Sequence, residues 1–143
     1  MENKRNIENV INIACRLTNL VEGFNDNNKS QLLSTQFKIL YQIYKQPHIN
    51  ATVLSSKLDM AKSNLALSCK KFILNNLIVS TKDSFDKRSV FYDLTEDGTK
   101  YVEDMLNKFE QNFEKDLGLK ASNKELLMAI SKLNAMICNW EWL

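Results

Sequence analysis

One proline and three glycines occur in the whole sequence, so long helices meet few breakers and a mainly helical design is favoured. A single histidine leaves little material for acid–base chemistry. No nucleophile–base arrangement, phosphate-cradling glycine loop or metal-ligand cluster is visible either, so neither an enzyme nor a cofactor is expected. The three cysteines, Cys15, Cys69 and Cys138, are odd in number and too widely separated for zinc-finger spacing. They read as reduced thiols. No apolar run approaches the roughly 18 residues that span a bilayer, because Asn12, Arg16 and Asn19 interrupt the most hydrophobic stretch. A cytoplasmic protein without a membrane partner is therefore expected.

What is present is an ordinary globular balance, 44% hydrophobic and 25% charged over 143 residues, enough for one core. The net charge of +2 is unevenly spread. Residues 60–92 carry Lys62, Lys70, Lys71, Lys82, Lys87 and Arg88 against Asp83 and Asp86, whereas residues 93–116 hold eight acidic side chains against three basic ones. Attraction to phosphates needs such local concentration of cations more than a large global charge.

Apolar residues at Ile7, Val10, Ile11, Ala14, Leu17, Val21 and Phe24, widened by Ile13 and Leu20, predict a first helix buried on two sides. A polar loop follows at 25–30. Ser34 can cap a second helix carrying Phe37, Leu40, Tyr41 and Tyr44 to about Lys45, where Pro47 ends it. His48, beside that proline, reads as a loop residue. Asn50 can cap a short third helix to Leu58, with Val53, Leu54 and Leu58 inward. After a turn at 59–61, Leu65, Cys69, Phe72, Ile73 and Asn76 form the inner face of another helix, with Lys62, Ser63, Ala66, Leu67, Lys70 and Lys71 outward. Two helices joined this way suggest a helix-turn-helix.

Segments 77–82 and 89–94 are rich in β-formers around a polar turn and predict a two-stranded hairpin. Thr95 then caps a long helix, with Glu96 and Asp97 complementing its dipole and Val102, Met105, Leu106, Phe109, Phe113 and Leu117 at helical spacing. Gly118 stops it. A last helix, capped near Ser122 or Asn123, is expected to bury Leu126, Leu127, Ile130, Leu133, Met136, Ile137 and Trp140, with the apolar end from Trp140 to Leu143 docked.

The pattern Asp86-x-Arg88 followed by Leu94-Thr95-x-x-Gly98, set behind a helix-turn-helix, resembles the MarR family of transcriptional regulators. The resemblance implies a mainly α fold with a small β-wing: a winged helix-turn-helix with N- and C-terminal dimerisation helices. It implies a single winged-helix domain over 1–143, with the helix-turn-helix and wing at 33–94 and the dimerisation helices at 1–24 and 95–143. The implied partner is double-stranded DNA, bound by a homodimer at a pseudo-palindromic operator. Repression is the implied consequence, with release by a small-molecule effector seated between the dimer helices and the winged domain. Carried over by position, the recognition helix is 62–75 and the wing tip 83–88. The DNA-binding set is then Lys62, Ser63, Asn64, Leu67, Lys70, Lys71, Lys87 and Arg88. Arg88 would meet the minor groove or a phosphate, and Asp86 would hold the wing in shape by hydrogen bonding.

Four positions depart from the family's habit. Ala61 replaces a capping serine or threonine, Leu67 a mid-helix arginine, Asn76 a glycine between helix and wing, and Ser80 an arginine early in the wing. These leave rival readings open: a winged helix working through protein contacts with weak or lost DNA binding, or a cysteine-based redox-responsive regulator using Cys15 and Cys138, with Cys69 a core residue. The central cations also admit reading as a solvated face, and Asp86 with Arg88 as an ion pair closing the turn.

Overall fold

The computed structural model describes residues 2–23, 34–117 and 124–138. Its elements are α1 (Glu2–Gly23), α2 (Thr35–Lys45), β1 (Ile49–Asn50), α3 (Ala51–Lys57), α4 (Lys62–Leu74), β2 (Ile78–Lys82), β3 (Val90–Leu94), α5 (Glu96–Leu117) and α6 (Lys124–Cys138). The chain forms two compact units, Met1–Phe109 and Glu110–Leu143, which divide within α5. No helix among the described residues is long and apolar enough to cross a membrane.

In the first unit the expected caps are in place. The Ser34 hydroxyl accepts the Phe37 N–H at 3.1 Å, and the Asn50 side chain accepts the Thr52 N–H at 2.8 Å. Ala61 gives α4 no side-chain cap. Glycine scarcity shows at the other helix ends, where Asp59 (φ 50°) and Asn76 (φ 58°) occupy the left-handed region. Each completes a Schellman turn. Met60 N–H donates to Ser55 and Asp59 N–H to Ser56 behind α3, and Leu77 N–H donates to Phe72 and Asn76 N–H to Ile73 behind α4.

The sheet is antiparallel with strand order β1-β3-β2, so it has three strands where the sequence pattern predicts two. The extra strand is only Ile49–Asn50, too short to carry an alternating signal, and it pairs Ile49 with Tyr92 and Asn50 with Phe91. On the other edge Ser80 also opposes Tyr92. The core is drawn from every element between α2 and α5: Phe37, Ile39, Leu40, Ile43, Ile49, Leu54, Leu65, Cys69, Phe72, Ile78, Tyr92 and Val102 are buried. Tyr41 and Tyr44 pack only at its margin, and Ile39 and Ile43 take the inward places on α2.

Three expectations about burial need correction. Val53 is 41% exposed, because two-turn α3 turns Leu54 and Ser55 inward and Val53 away. Ile73 is 39% exposed on the flank of α4 that faces the wing, and Asn76 stands beyond the helix as its left-handed cap. In the second unit, Ile130, Leu133 and Met136 of α6 are exposed on the single chain, not buried, as are Ile7, Val10, Ile11 and Ile13 of α1 in the first unit. The 25–30 loop, Gly118, the caps at Ser122 and Asn123 and the docking of Trp140 to Leu143 lie outside the described residues, as do the side chains of Leu17, Leu20, Val21, Phe24, Phe113, Leu117, Leu126, Leu127, Ile137 and Cys138.

Candidate nucleic-acid interface

Helix α4 is anchored by Leu65, Cys69 and Phe72, which are buried at three-and-four spacing. The opposite face is set by the same geometry: Ser63, Leu67, Lys70 and Leu74 point away from the core, with Leu67 59% exposed at its middle. Lys62, Asn64 and Lys71 flank them, all exposed. The helix axis is thus held by the core while its outer face is free along its length.

Between α4 and the sheet runs an open groove of about 430 Å³. Ala66, Leu67 and Lys70 line it from the helix, and Ser80, Lys82 and Tyr92 from the strands. The structure therefore brings Ser63, Leu67 and Lys70 to one groove, while Asn64, Lys71, Lys87 and Arg88 are not part of its lining. Lys82 was not among the sequence-predicted site residues. Its signal was present, since residue 82 ends a strand two places after Ser80, and alternate strand residues share a face.

The wing tip is built from aspartates. The Asp83 carboxylate accepts the Phe85 N–H at 2.8 Å, and the Asp86 carboxylate accepts the Arg88 N–H at 3.0 Å and the Ser89 hydroxyl at 3.3 Å. Backbone bonds Asp83 N–H to Ser89 and Ser89 N–H to Asp86, both 2.9 Å, close the loop beneath them. Short polar side chains that capture a nearby N–H fix a turn without glycine. Asp86 does not do this as an ion pair with the Arg88 guanidinium: among the described residues the single contact within 4 Å between a basic side-chain nitrogen and a carboxylate joins His48 and Asp93. Lys87 and Arg88 stand exposed on this tip, and Phe85 is 99% exposed beside them. Phe85 carried no periodic signal, because a loop residue has no pattern to betray its direction.

His48 is more than a loop residue. Its backbone N–H donates to Asp93 Oδ1 at 2.7 Å, its Nδ1 lies 2.8 Å from Asp93 Oδ2, and its ring stacks on Phe91 at 4.6 Å with planes 3° apart. The α2–α3 connection is thereby clasped to β3, the central strand of the wing.

Beneath the groove, the Cys69 thiol of α4 and the Tyr92 phenol of β3 are buried neighbours. Burial pushes the Cys69 thiol up to about 11, opposed by the nearby Tyr92 hydroxyl, and pushes the Tyr92 phenol up to about 12, helped by the neighbouring sulfur. A thiol held neutral in this way is a packing group, not a thiolate. Cys15 is exposed. Among the described residues no three His, Cys, Asp or Glu side chains gather as a metal site would require.

An α4 anchored by its inner face against a three-stranded sheet, after a short α3 and before an ordered loop, defines a winged helix-turn-helix. The sequence model of the MarR family matches residues 32–90, which contain both helices and the wing tip. Over 75 residues the chain is 29% identical to the uncharacterized HTH-type transcriptional regulator YvnA of Bacillus subtilis, covering 52% of this chain and 48% of that protein. The match thus spans about half of the relative's length. A MarR family protein from Bacillus stearothermophilus superposes with a TM-score of 0.72 at 17% identity, covering 99% of this chain and 97% of that one. FabT of Streptococcus pneumoniae, solved in complex with DNA, superposes with a TM-score of 0.66 at 14% identity, covering 99% of each chain.

Proposed function

We propose that this protein is a cytoplasmic DNA-binding transcriptional regulator that acts as a homodimer on a pseudo-palindromic operator, most simply as a repressor. The observation that carries the reading is the pairing of an outward-facing α4, rimmed by Lys62, Lys70 and Lys71, with a rigid wing bearing Lys87 and Arg88. α4 enters the major groove with Ser63, Asn64 and Leu67 toward base edges, and the lysines take phosphates. Lys82 and Lys70, on either side of the groove, grip the backbone strand that passes between helix and wing. Arg88 reaches the minor groove, where a guanidinium favours narrow, negatively polarised DNA. Asp86 contributes by fixing the loop from which Arg88 projects.

The exposed apolar stripes of α1 and α6 support the homodimer, since a second copy offers the same stripes in return. FabT, bound to DNA on the same fold, supports the nucleic-acid partner. A small-molecule effector acting between dimer helices and winged domain completes the reading. Cys69 is buried, as expected of a core residue, so the redox alternative rests on Cys15 and Cys138 alone.

The test is binding of the full-length protein to duplex DNA from its own upstream region at several salt concentrations. Steep salt dependence is expected, and Arg88→Ala weakens binding without unfolding the dimer. Equal, weak binding to all sequences, indifferent to Arg88→Ala, would instead favour a module that works through protein contacts.

A further inference from the structure

The outer face of α4 is apolar at the point where a reading helix meets base edges. Leu67 stands opposite the buried Leu65, Cys69 and Phe72, and Ala66 adjoins it, also exposed. We infer that Leu67, assisted by Ala66, reads thymine methyl groups in the major groove, so that the operator half-site carries T·A pairs beneath the first two turns of α4. The inference rests on the DNA-binding reading above and names what that face selects.

Two features of the chain lead there. The three arginines are Arg5, Arg16 and Arg88, none of them on α4, so the bidentate arginine–guanine contact is not offered by this helix. The thymine C5-methyl is the apolar group on the major-groove edge of the base pairs. An isobutyl side chain pressed against a G·C edge removes water from the guanine N7 and O6 and the cytosine N4 amino group and returns no hydrogen bond, which is unfavourable. Against a methyl it removes apolar surface from water on both sides. Asn64, one turn earlier on the flank, points the same way, because its amide matches the adenine N6 and N7. Lys62, Lys70 and Lys71 surround the patch with cations, which suits a polyanion and opposes burial in a neutral protein interface.

The experiment begins with duplexes selected from a random-sequence library by the purified full-length protein. The selected sites are then made with thymidine or with deoxyuridine, which lacks only the methyl, and titrated at several salt concentrations. Affinity is expected to fall about fourfold for each contacted thymine replaced, the worth of one buried methyl group. Leu67→Ala, at a position already exposed, is expected to shrink the difference between the two duplexes while keeping the slope of affinity against salt. Equal affinity of the wild type for both duplexes, with a steep salt slope, would overturn the methyl-reading role and leave the DNA-binding reading standing. A selection that recovers no preferred sequence, with binding insensitive to salt, would overturn both.

Discussion

The carbonyl oxygen of Leu77 accepts the Thr95 N–H at 3.0 Å and fills the space that a Cβ on residue 98 would occupy. Gly98 is therefore required by close approach. It lets the first turn of α5 lie against the chain entering β2, and the Thr95 hydroxyl caps that turn by accepting the Gly98 N–H at 3.0 Å while donating to the Asn76 carbonyl at 2.6 Å.

Gly98→Ala tests this contact with a clear sign. On helix propensity alone the change would stabilise α5 by about 1 kcal/mol. The clash with Leu77 backbone, and a 3.3 Å contact with Leu94 Cδ2, should instead cost roughly 1–3 kcal/mol. Urea unfolding of the two proteins decides between these outcomes, and a more stable variant would remove the packing argument.

The left-handed residues behave differently. Asp59 sits at φ 50° as the C′ residue of α3, where glycine is the usual solution. Asp59→Gly should raise stability by roughly 0.5–1 kcal/mol, and Asp59→Val should lower it by at least about 1 kcal/mol. Asn76→Gly should gain less, since it also loses the 2.9 Å bond from the Asn76 amide to Asp97 Oδ2. The ordering of the three variants by thermal unfolding is the measurement.

These caps also show what could be read from the residues. Ser34, Asn50 and Thr95 announced three helix starts, because a side-chain oxygen three or fewer residues ahead of a free N–H is local chemistry. The inner face of α4 followed from spacing at Leu65, Cys69 and Phe72. The clasp of His48 on Asp93 was not legible, because its partners are 45 residues apart and meet only when β1 pairs with β3. The Leu67–Lys82 groove was hidden likewise, since it exists only between two elements.

The His48 clasp should hold the wing to the body. His48→Ala removes the stacking on Phe91 and the Nδ1 contact to Asp93, both solvent-accessible, and should cost about 1 kcal/mol. His48→Gly frees the backbone from φ 55° and should recover part of that stability without restoring the clasp. Amide hydrogen exchange distinguishes the two effects: Tyr92 and Ile49, partners across β1–β3, should exchange faster in both variants. Unchanged exchange there would show that β1 pairing does not depend on the His48 side chain, the backbone bond to Asp93 being kept in both variants.

The Cys69–Tyr92 pair predicts how the fold responds to alkali. In the unfolded chain the thiol loses its proton near pH 9.0, whereas in the fold it keeps it to about 11; for the Tyr92 phenol the corresponding values are 10.0 and about 12. Between each pair of values the unfolded chain binds fewer protons than the native one, so stability falls as pH rises. The contribution is fully present below pH 9 and is lost through the window from about 9 to 12. Urea midpoints should therefore be insensitive to these two groups from pH 7 to 8.5 and decline above pH 9. Cys69→Ala should flatten the first part of that decline at the cost of a lower plateau, because the methyl group fills less of the buried site. Thiol labelling supplies the independent check: at pH 8 the exposed Cys15 should react with an aromatic disulfide in the native protein, while Cys69 should react only at the rate of unfolding.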